Sequence, residues 1–165
     1  MVYQFDRDIV NKVDDNSLVR RPVSLSDSDE ILRWRNDPST IITTRVGEPI
    51  QKNDHNIWTS ERIKRHNDEP YFAYLIGEVL VAIVRLDSVV EGFEFSILVS
   101  PEWRGKKIAT RVMVDILDFT FANYPEKKII AWVKNSNKRS MNLFRNRGFH
   151  LTLKQKEFTK FQYGN

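Results

Sequence analysis

A strongly apolar strand, a basic glycine turn and a long helix follow one another in this chain and constrain its fold more than any other feature. Residues 92–100 alternate apolar and polar side chains at first and then become continuously apolar, which predicts a strand buried on both faces. The turn at 104–107 contains one glycine and three basic residues. Apolar residues then recur at helical spacing, at Ile108, Val112, Ile116 and Phe119 or Thr120. A helix that begins after such a turn presents free N–H groups and a positive dipole end, so the turn predicts an anion site.

The segments around this block predict a mixed α/β protein with helices on both faces of one sheet. Runs rich in β-branched and aromatic residues predict strands, whereas apolar residues spaced behind capping side chains predict helices. The order is β-α-α-β-β-β-α-β-α-β. The predicted elements are a strand at 18–25, a helix that opens at 26–29 and ends before Pro38, a loop at 40–51, a helix capped by Asn53 or Asp54 with Ile57, Trp58 and Ile63 on its apolar side, a hairpin of 71–76 and 79–86, the strand at 92–100, the helix from 108 to Tyr124, a strand at 128–133, a helix at 140–147 closed by Gly148, and a last strand at 154–163.

The length of the chain fits one small globular domain. A chain of 165 residues is long enough for one core but short for two. We therefore expect a single domain over residues 1–165 with a polar extension at 1–16, in which residues 2–5 suggest a short strand. No apolar run reaches the roughly 20 residues that a membrane-spanning helix needs, and residues 1–16 lack the apolar core of a signal peptide. We expect a cytoplasmic protein, a monomer or a homodimer, with no membrane contact.

The numbers of cysteine, histidine and charged residues exclude several kinds of site. The chain has no cysteine, which excludes disulfides, thiolate nucleophiles and cysteine-ligated metals. Its three histidines are not at metal-ligand spacing, so we expect no metal site. The net charge of +4 suits an anionic small molecule. The basic residues are dispersed and lack an aromatic platform, so no nucleic-acid partner is expected.

Two separated segments carry the most specific motifs of the chain. The first reads Arg-Gly-Lys-Lys-Ile-Ala from Arg104 to Ala109, and the second comprises Val133, Asn137-x-x-Ser140 and Leu143-Phe144-x-x-x-Gly148-Phe149. The first resembles the pyrophosphate-binding motif of the GNAT acetyltransferases, (Arg/Gln)-x-x-Gly-x-(Gly/Ala), and the second resembles the other half of that family's cofactor site. The resemblance covers about residues 18–150 and implies the GNAT fold, with a mixed and mostly antiparallel sheet, and acetyl-CoA as acetyl donor. The donor-binding residues that it implies are Leu98, Val99, Arg104, Gly105, Lys106, Lys107, Ile108, Ala109, Thr110, Asn137, Ser140, Phe144 and Arg147.

Two positions depart from the family's pattern. Lys107 stands where the motif usually has glycine. Because the cofactor is bound there through main-chain N–H groups, a side chain that points to solvent is tolerable. Phe144 stands where a tyrosine general acid is common. The leaving group is a thiolate, and a thiol pKa of about 8.5 means that its departure near neutral pH needs little acid assistance.

Three further clusters combine aromatic and charged residues. They are Trp34-Arg35-Asn36-Asp37-Pro38, His55-x-x-Trp58, and Arg85-Leu86-Asp87 followed by residues 93–97. Together they resemble the GNAT enzymes that acetylate 4-amino-sugar nucleotides in pseudaminic-acid and related surface-glycan pathways, and the first is shared with enzymes that modify ribosomal proteins. The resemblance implies a small-molecule amine as acceptor, bound by Trp34, Arg35, Asn36, His55, Trp58 and Arg85. The tryptophans also fit core positions, and His55 also fits the start of a helix.

Glu94 is the main candidate for a catalytic group. It lies in a strand among Phe93, Phe95 and Ile97, where an unpaired carboxylate is costly to bury. It therefore either faces a wet cleft, as a general base would, or forms a structural ion pair, for which Arg85 is the obvious partner.

The resemblance implies direct attack of a neutral amine on the acetyl thioester. Glu94 takes the proton through a water that Ser96 orients. Main-chain N–H groups around Leu98 and Val99 stabilise the oxyanion, because the family's central strand splays from its neighbour there. Without a cysteine or a Ser-His-Asp arrangement, a covalent acetyl-enzyme is not expected. Two alternatives stay open: a protein acetyltransferase that acts on N-terminal or lysyl amines, and a CoA-binding domain without catalysis.

Overall fold

A seven-stranded sheet forms the centre of the protein, whose computed structural model describes residues 17–164. The elements are β1 (Leu18–Pro22), α1 (Ser28–Arg35), α2 (Pro38–Ile41), α3 (Lys52–Lys64), β2 (Tyr71–Ile76), β3 (Val79–Val89), β4 (Gly92–Val99), α4 (Ile108–Asn123), β5 (Lys128–Lys134), α5 (Lys138–Asn146), β6 (His150–Lys154) and β7 (Phe158–Tyr163), with short 3-10 turns at Leu25–Asp27 and Pro101–Trp103. The strand order is β1-β2-β3-β4-β5-β7-β6, antiparallel except between β4 and β5. The polar extension at 1–16 and the strand predicted in it lie outside the described residues. Across 17–164, no helix is both long and apolar enough to cross a membrane.

Helices cover both faces of the sheet and divide the core in two. α1 and α3 pack over a small apolar cluster on one face, and α4 and α5 pack over a larger cluster on the other. Adjacent residues of a strand point to opposite faces, so Tyr71 and Ala73 join the small cluster while Phe72 and Tyr74 join the large one. The predicted fold class, a mixed sheet with helices on both faces, is confirmed.

Two elements differ from the sequence prediction. Pro38 ends α1 as expected, but it also occupies the first position of α2, where its missing N–H costs nothing. Asp37 caps this helix by accepting a hydrogen bond from the Ser39 N–H at 3.1 Å. The strand predicted at 154–163 corresponds to β7 and the turn before it, and β6 at His150–Lys154 was not predicted. The two strands form a hairpin, whose turn is closed by the Gln155 N–H donating to the Phe158 carbonyl at 2.8 Å.

The buried side of α3 is polar rather than apolar. The helix begins before Asn53 and Asp54, so neither residue caps it. Ile57 is 58% exposed, and the other two predicted apolar positions, Trp58 and Ile63, are only half-buried. The fully buried residues of α3 are His55, Thr59 and Arg62.

The sheet splits part-way along its parallel strand pair. Residues 92–94 of β4 pair with residues 128–130 of β5, and the pairing then stops, whereas β4 stays paired with β3 as far as Val99. A Cβ atom at Gly92 would lie 2.1 Å from the Lys128 carbonyl oxygen, so the two strands approach closely only because glycine is present. Beyond the split the last residues of β4 are half-exposed, and the prediction that this strand is buried on both faces is wrong there.

Candidate functional site

A cleft of about 590 Å³ opens at the split. Its wall comes from the end of β4, the turn at 104–107, the starts of α4 and α5, and α2 with the residues that follow it. The predicted donor-binding residues that line it are Leu98, Val99, Arg104, Gly105, Lys107, Ile108, Ala109, Thr110, Asn137 and Ser140. The lining residues that were not predicted from the sequence are Ser39, Thr40, Thr43, Ile97, Trp103, Arg139 and Leu143.

The start of α4 presents unpaired N–H groups at this cleft. The Arg111 N–H donates to the Lys107 carbonyl at 3.2 Å, so the preceding N–H groups, on residues 108–110, have no acceptor within the helix. The turn brings the chain to this point through two left-handed residues, Gly105 with φ 80° and Lys107 with φ 60°. No acidic residue lies in the first turn of α4. Geometry and charge together favour an anion at this helix start.

The two lysines of the turn lie on its exposed side. Lys107 adopts a left-handed conformation that glycine tolerates best, which accounts for the glycine usual at this position, and its side chain is exposed. Lys106 places Nζ 4.6 Å from the centroid of the Trp103 ring and does not line the cleft.

Arg104 uses its guanidinium to hold the cleft together. Nε donates to the Val99 carbonyl at 3.2 Å, and Nη2 donates to Thr40 Oγ1 at 2.7 Å. Nη1 donates to Ser39 Oγ and lies 3.3 Å from Asp37 Oδ1. The sequence predicted that this charge would be available to an anion. Every guanidinium nitrogen has a protein acceptor, and Arg104 also lines the cleft, so its role toward the donor stays a prediction.

Residues 37–50, which we name the crossing segment, lie over the split between β4 and β5. Lys134, at the end of β5, donates from Nζ to the Ile42 carbonyl at 3.0 Å. Arg45 pairs with Glu94 of β4 at 2.9 Å and lies over the Trp132 ring of β5 at 5.5 Å. The segment therefore contacts β4 at the last residue paired with β5, and it contacts β5 beyond the paired stretch.

Asn36 closes the crossing segment at its base. Its Nδ2 donates to the Ile50 carbonyl at 2.8 Å, and its Oδ1 accepts from the Ile50 N–H at 2.8 Å. We predicted Asn36 as an acceptor ligand, but its amide is engaged on both sides by the main chain. Its role in the structure is to fix the loop.

Glu94 pairs with Arg45 and not with Arg85, the partner expected from the sequence. Arg85 instead pairs with Asp87 through Nε at 2.8 Å. Arg45 lies in a segment distant in sequence, and no periodic pattern links it to β4. The Glu94 side chain is 26% exposed, so it is neither sealed in the core nor free in solvent.

The end of β4 directs main-chain donors into the split. Ser100 N–H donates to the Val81 carbonyl, and the Val99 carbonyl accepts from Arg104 on the opposite side. Because N–H and C=O directions alternate along an antiparallel strand, the N–H groups of Ile97 and Val99 point into the split and that of Leu98 points to β3. Of the two predicted oxyanion donors, only Val99 is oriented for that role. Ile97 was not predicted.

Two predicted acceptor ligands, Trp34 and His55, lie in the α1–α3 contact. Trp34 is 0% exposed, and its Nε1 donates to Glu30 at 2.8 Å. His55 is 2% exposed, and its Nε2 lies 3.0 Å from the Ser28 carbonyl, an arrangement that fits a neutral ring donating from this nitrogen. Burial lowers the pKa of His55. Neither side chain is brought to the cleft.

The remaining predicted acceptor ligands gather around Trp58. The guanidinium carbons of Arg35 and Arg85 lie 5.7 Å and 5.2 Å from the centroid of its ring. Tyr71, which was not predicted from the sequence, meets the same ring edge-on at 5.8 Å. Tyr71 opens β2 in register with Arg85, and that cross-strand register is the signal that links them. Glu94, Ser96 and Leu98 share this face of the sheet.

α5 supplies the cleft with its capping residues. Asn137 accepts from the Ser140 N–H at 3.1 Å and so fixes the start of the helix. Phe144 is 4% exposed and lies in the large core cluster, 5.9 Å from the Phe161 ring. The α5 residues that line the cleft are Arg139, Ser140 and Leu143. Arg147 is the C-cap of α5 and does not line the cleft.

The fold is a mixed sheet that splits between two parallel strands, and a cleft with a helix start in its wall opens at the split. Residues 17–150 match the family model described as the acetyltransferase (GNAT) domain. The chain therefore belongs to the GNAT acetyltransferase family.

Known proteins similar to this chain include acetyltransferases with named amine substrates. Over 88 residues it is 32% identical to a spermidine N(1)-acetyltransferase of Escherichia coli K12, an alignment that covers 52% of this chain and 47% of that protein. The chain thus spans about half the length of the curated relatives it matches. A spermidine N-acetyltransferase from Vibrio cholerae, solved with CoA and spermine, has a TM-score of 0.76 at 21% identity, covering 88% of this chain and 94% of the other. A Salmonella typhimurium structure solved with acetyl-CoA as its cofactor has a TM-score of 0.71 at 16% identity, covering 90% and 94%.

Proposed function

We propose that this chain is an acetyl-CoA-dependent N-acetyltransferase that transfers the acetyl group directly to the amine of a small molecule. The observation that carries the proposal is the cleft at the split of β4 and β5, where a helix start with free N–H groups meets the end of a strand with free N–H groups. The first set of donors suits the pyrophosphate of CoA. The second set suits an oxyanion. One cleft thus offers both sites that the reaction needs.

The residues of the cleft fit acetyl-CoA. A Cβ built at Gly105 meets no atom of residues 17–164 within 4 Å, so this part of the main chain is open to a ligand. The start of α5, with Asn137 and Ser140, forms the opposite wall. Bound acetyl-CoA supplies the acetyl thioester, and the protein supplies position and charge.

The end of β4 carries the groups that assist transfer. The N–H groups of Ile97 and Val99 stabilise the oxyanion that forms as the amine attacks the thioester carbonyl. Glu94 accepts the proton of the amine through water, and Ser96, exposed on the same face two residues along, orients that water. Arg45 holds the Glu94 carboxylate in place.

For the acceptor we propose a 4-amino sugar linked to a nucleotide. The support is the group of Arg35, Trp58 and Arg85 on the face of the sheet that bears Glu94. A polyamine is the second candidate, favoured by the activities named for the Escherichia coli and Vibrio cholerae proteins. A protein amine remains the third.

Two measurements test this proposal. Millimolar acetyl-CoA should raise the unfolding temperature, because a ligand that binds only the folded state stabilises it by mass action. An unchanged unfolding temperature would contradict the donor assignment.

Under saturating acetyl-CoA, release of free CoA should be fastest with amino-sugar nucleotides in a panel that also contains spermidine, aminoglycosides and ribosomal-protein N-terminal peptides. Faster release with spermidine or with a peptide would show that this amine, and not an amino-sugar nucleotide, is the preferred acceptor.

A further inference from the structure

The side chains of Arg35, Trp58 and Arg85, where we propose that the acceptor binds, carry positive charge that the transfer step does not use. Arg35 and Arg85 both lie against Trp58, at 5.7 Å and 5.2 Å from its ring centroid. Their charges repel each other, and burial together with the Arg85 charge lowers the pKa of Arg35. Two guanidinium groups held this close need negative charge nearby.

The protein supplies only part of that negative charge. Asp87 pairs with Arg85 at 2.8 Å, but it is shared with Arg62, which is 1% exposed and lies 3.0 Å from the same carboxylate. Glu69 lies 3.6 Å from Arg62 and 2.8 Å from Arg65. Over residues 17–164, no carboxylate lies within 4.0 Å of Arg35, and its acidic electrostatic neighbour is Asp87, which Arg62 and Arg85 already share. The unmatched charge is therefore that of Arg35.

An unpartnered hydroxyl lies in the same place. Tyr71 is 1% exposed, and its Oη has no hydrogen-bond partner among the described residues. A buried hydroxyl without a partner is costly. Burial raises the pKa of Tyr71 to about 12, so the hydroxyl stays protonated at neutral pH and is available as a donor. Its electrostatic neighbours include both Arg35 and Arg85.

We propose that Arg35, Tyr71 and Trp58 form an oxyanion subsite in which a phosphate group of the acceptor accepts hydrogen bonds from the Arg35 guanidinium and the Tyr71 hydroxyl. Arg85, held by Asp87, forms the adjoining wall. Tyr71 is 1% exposed, so a phosphate reaches its hydroxyl only when the side chains around it change rotamer, as interface side chains commonly do on binding. The inference rests on the proposed acetyl transfer and defines the acceptor as an amine that carries phosphate elsewhere in its structure. A polyamine, with positive charge along its length, is repelled here.

The test is calorimetric titration of the full chain saturated with CoA, so that the helix start of the donor cleft is already occupied. The probes are UDP and uridine, which share base and sugar and differ in the diphosphate. UDP should bind, and uridine should bind at least 10-fold more weakly, since it offers no oxyanion. Equal affinity for the two probes, or no UDP binding to the CoA-loaded protein, would overturn the subsite.

Single substitutions identify the donors. Arg35→Gln and Tyr71→Phe should each weaken UDP binding by roughly 10- to 100-fold, the effect of losing one hydrogen bond to a charged group. Tyr71→Phe removes only the unpartnered oxygen, so its unfolding temperature should not fall. Lys52→Gln, an exposed position on α3 paired with Asp29, makes the same change in net charge as Arg35→Gln and should leave UDP binding unchanged.

The outcomes separate this inference from the proposed function. Undiminished UDP binding in both Arg35→Gln and Tyr71→Phe would refute the subsite. Acetylation of spermidine by a protein that does not bind UDP would also refute the subsite, while leaving acetyl transfer in place. Failure to bind acetyl-CoA would refute the proposed function itself.

Discussion

Replacing Arg104 with alanine tests whether this arginine builds the cleft or binds the donor. Its guanidinium connects the turn to the end of β4 and to the crossing segment. The hydrogen bonds to Val99, Ser39 and Thr40 contribute about 1 kcal/mol each. The pair with Asp37 adds less than about 1 kcal/mol, because solvent screens side chains that are 25% and 28% exposed. Relaxation of the crossing segment recovers part of this, so we expect a loss of about 2 to 3 kcal/mol.

Thermal unfolding of the ligand-free protein measures that loss. For a chain of this size, about 2 to 3 kcal/mol lowers the unfolding temperature by roughly 5 to 10 °C. The dissociation constant for acetyl-CoA should rise as well, since Ser39 and Thr40 line the cleft and lose their anchor. Lys106→Ala, in the same turn but exposed, is the matched control and should change stability by less than about 0.5 kcal/mol.

The outcome for the ligand-free protein decides between the two roles. If Arg104 acted only on the donor phosphates, its removal would weaken acetyl-CoA binding and leave the unfolding temperature of the ligand-free protein unchanged. A shift below about 1 °C would therefore refute the anchoring role of Arg104.

Four further outcomes are expected. Glu94→Gln should lower kcat by about 100-fold with little change in KM for the preferred acceptor, because it removes proton acceptance and not binding. Lys107→Gly should raise the free energy of unfolding, measured in urea, by about 0.5 to 1 kcal/mol by relieving a left-handed residue. Gly92→Ala should destabilise the fold by about 3 kcal/mol or more, since its Cβ would lie 2.1 Å from the Lys128 carbonyl oxygen. Burial lowers the pKa of His55, so the unfolded chain binds the proton more readily than the folded one. The free energy of unfolding is therefore highest above pH 6.5 and falls below that pH by up to about 1.4 kcal/mol per pH unit. His55→Gln should reduce this pH dependence.

Each of these outcomes has a clear contrary result. A kcat within about threefold of wild type in Glu94→Gln would remove its assignment as base. Destabilisation by Lys107→Gly would mean that its side chain, and not its conformation, determines stability at that position. Wild-type stability of Gly92→Ala would contradict the close approach of β4 and β5. Urea midpoints of His55→Gln that fall between pH 7.5 and 5.5 as steeply as those of wild type would assign the pH dependence to other groups.

Periodic and local signals in the sequence predicted most of the fold. Strands, the hairpin at Gly77-Glu78, the long helix and the glycine turn each depend on neighbouring residues, and the structure has them where the pattern indicated. The exceptions are places where two local rules compete. Pro38 is both a helix terminator and a favourable first residue, so the pattern predicted the end of α1 and missed the start of α2. Residues 155–157 are polar but not turn-specific, so the turn was predicted as part of the last strand and β6 was missed.

The candidate site was less predictable, because it depends on contacts between distant segments. The Glu94 partner, Arg45, comes from a loop whose path no periodicity constrains. The apolar end of β4 was interpreted as core, yet the split leaves it facing the cleft. The sequence around His55 is the same whether its ring binds a ligand or the Ser28 carbonyl, so the sequence alone does not distinguish the two roles. Tertiary packing decided each of these cases.

The short pairing of β4 with β5 also affects how long the protein persists in a cell. Three paired positions join the part of the sheet that ends at β4 to the part that begins at β5. Separating these two strands therefore costs less free energy than complete unfolding. A donor bound in the cleft between β4 and β5 raises the free energy of this separation by mass action. Proteases act on the opened chain, so under the proposed donor assignment its population follows the supply of acetyl-CoA. We expect turnover of this protein to quicken when the metabolic pool of its own donor runs low.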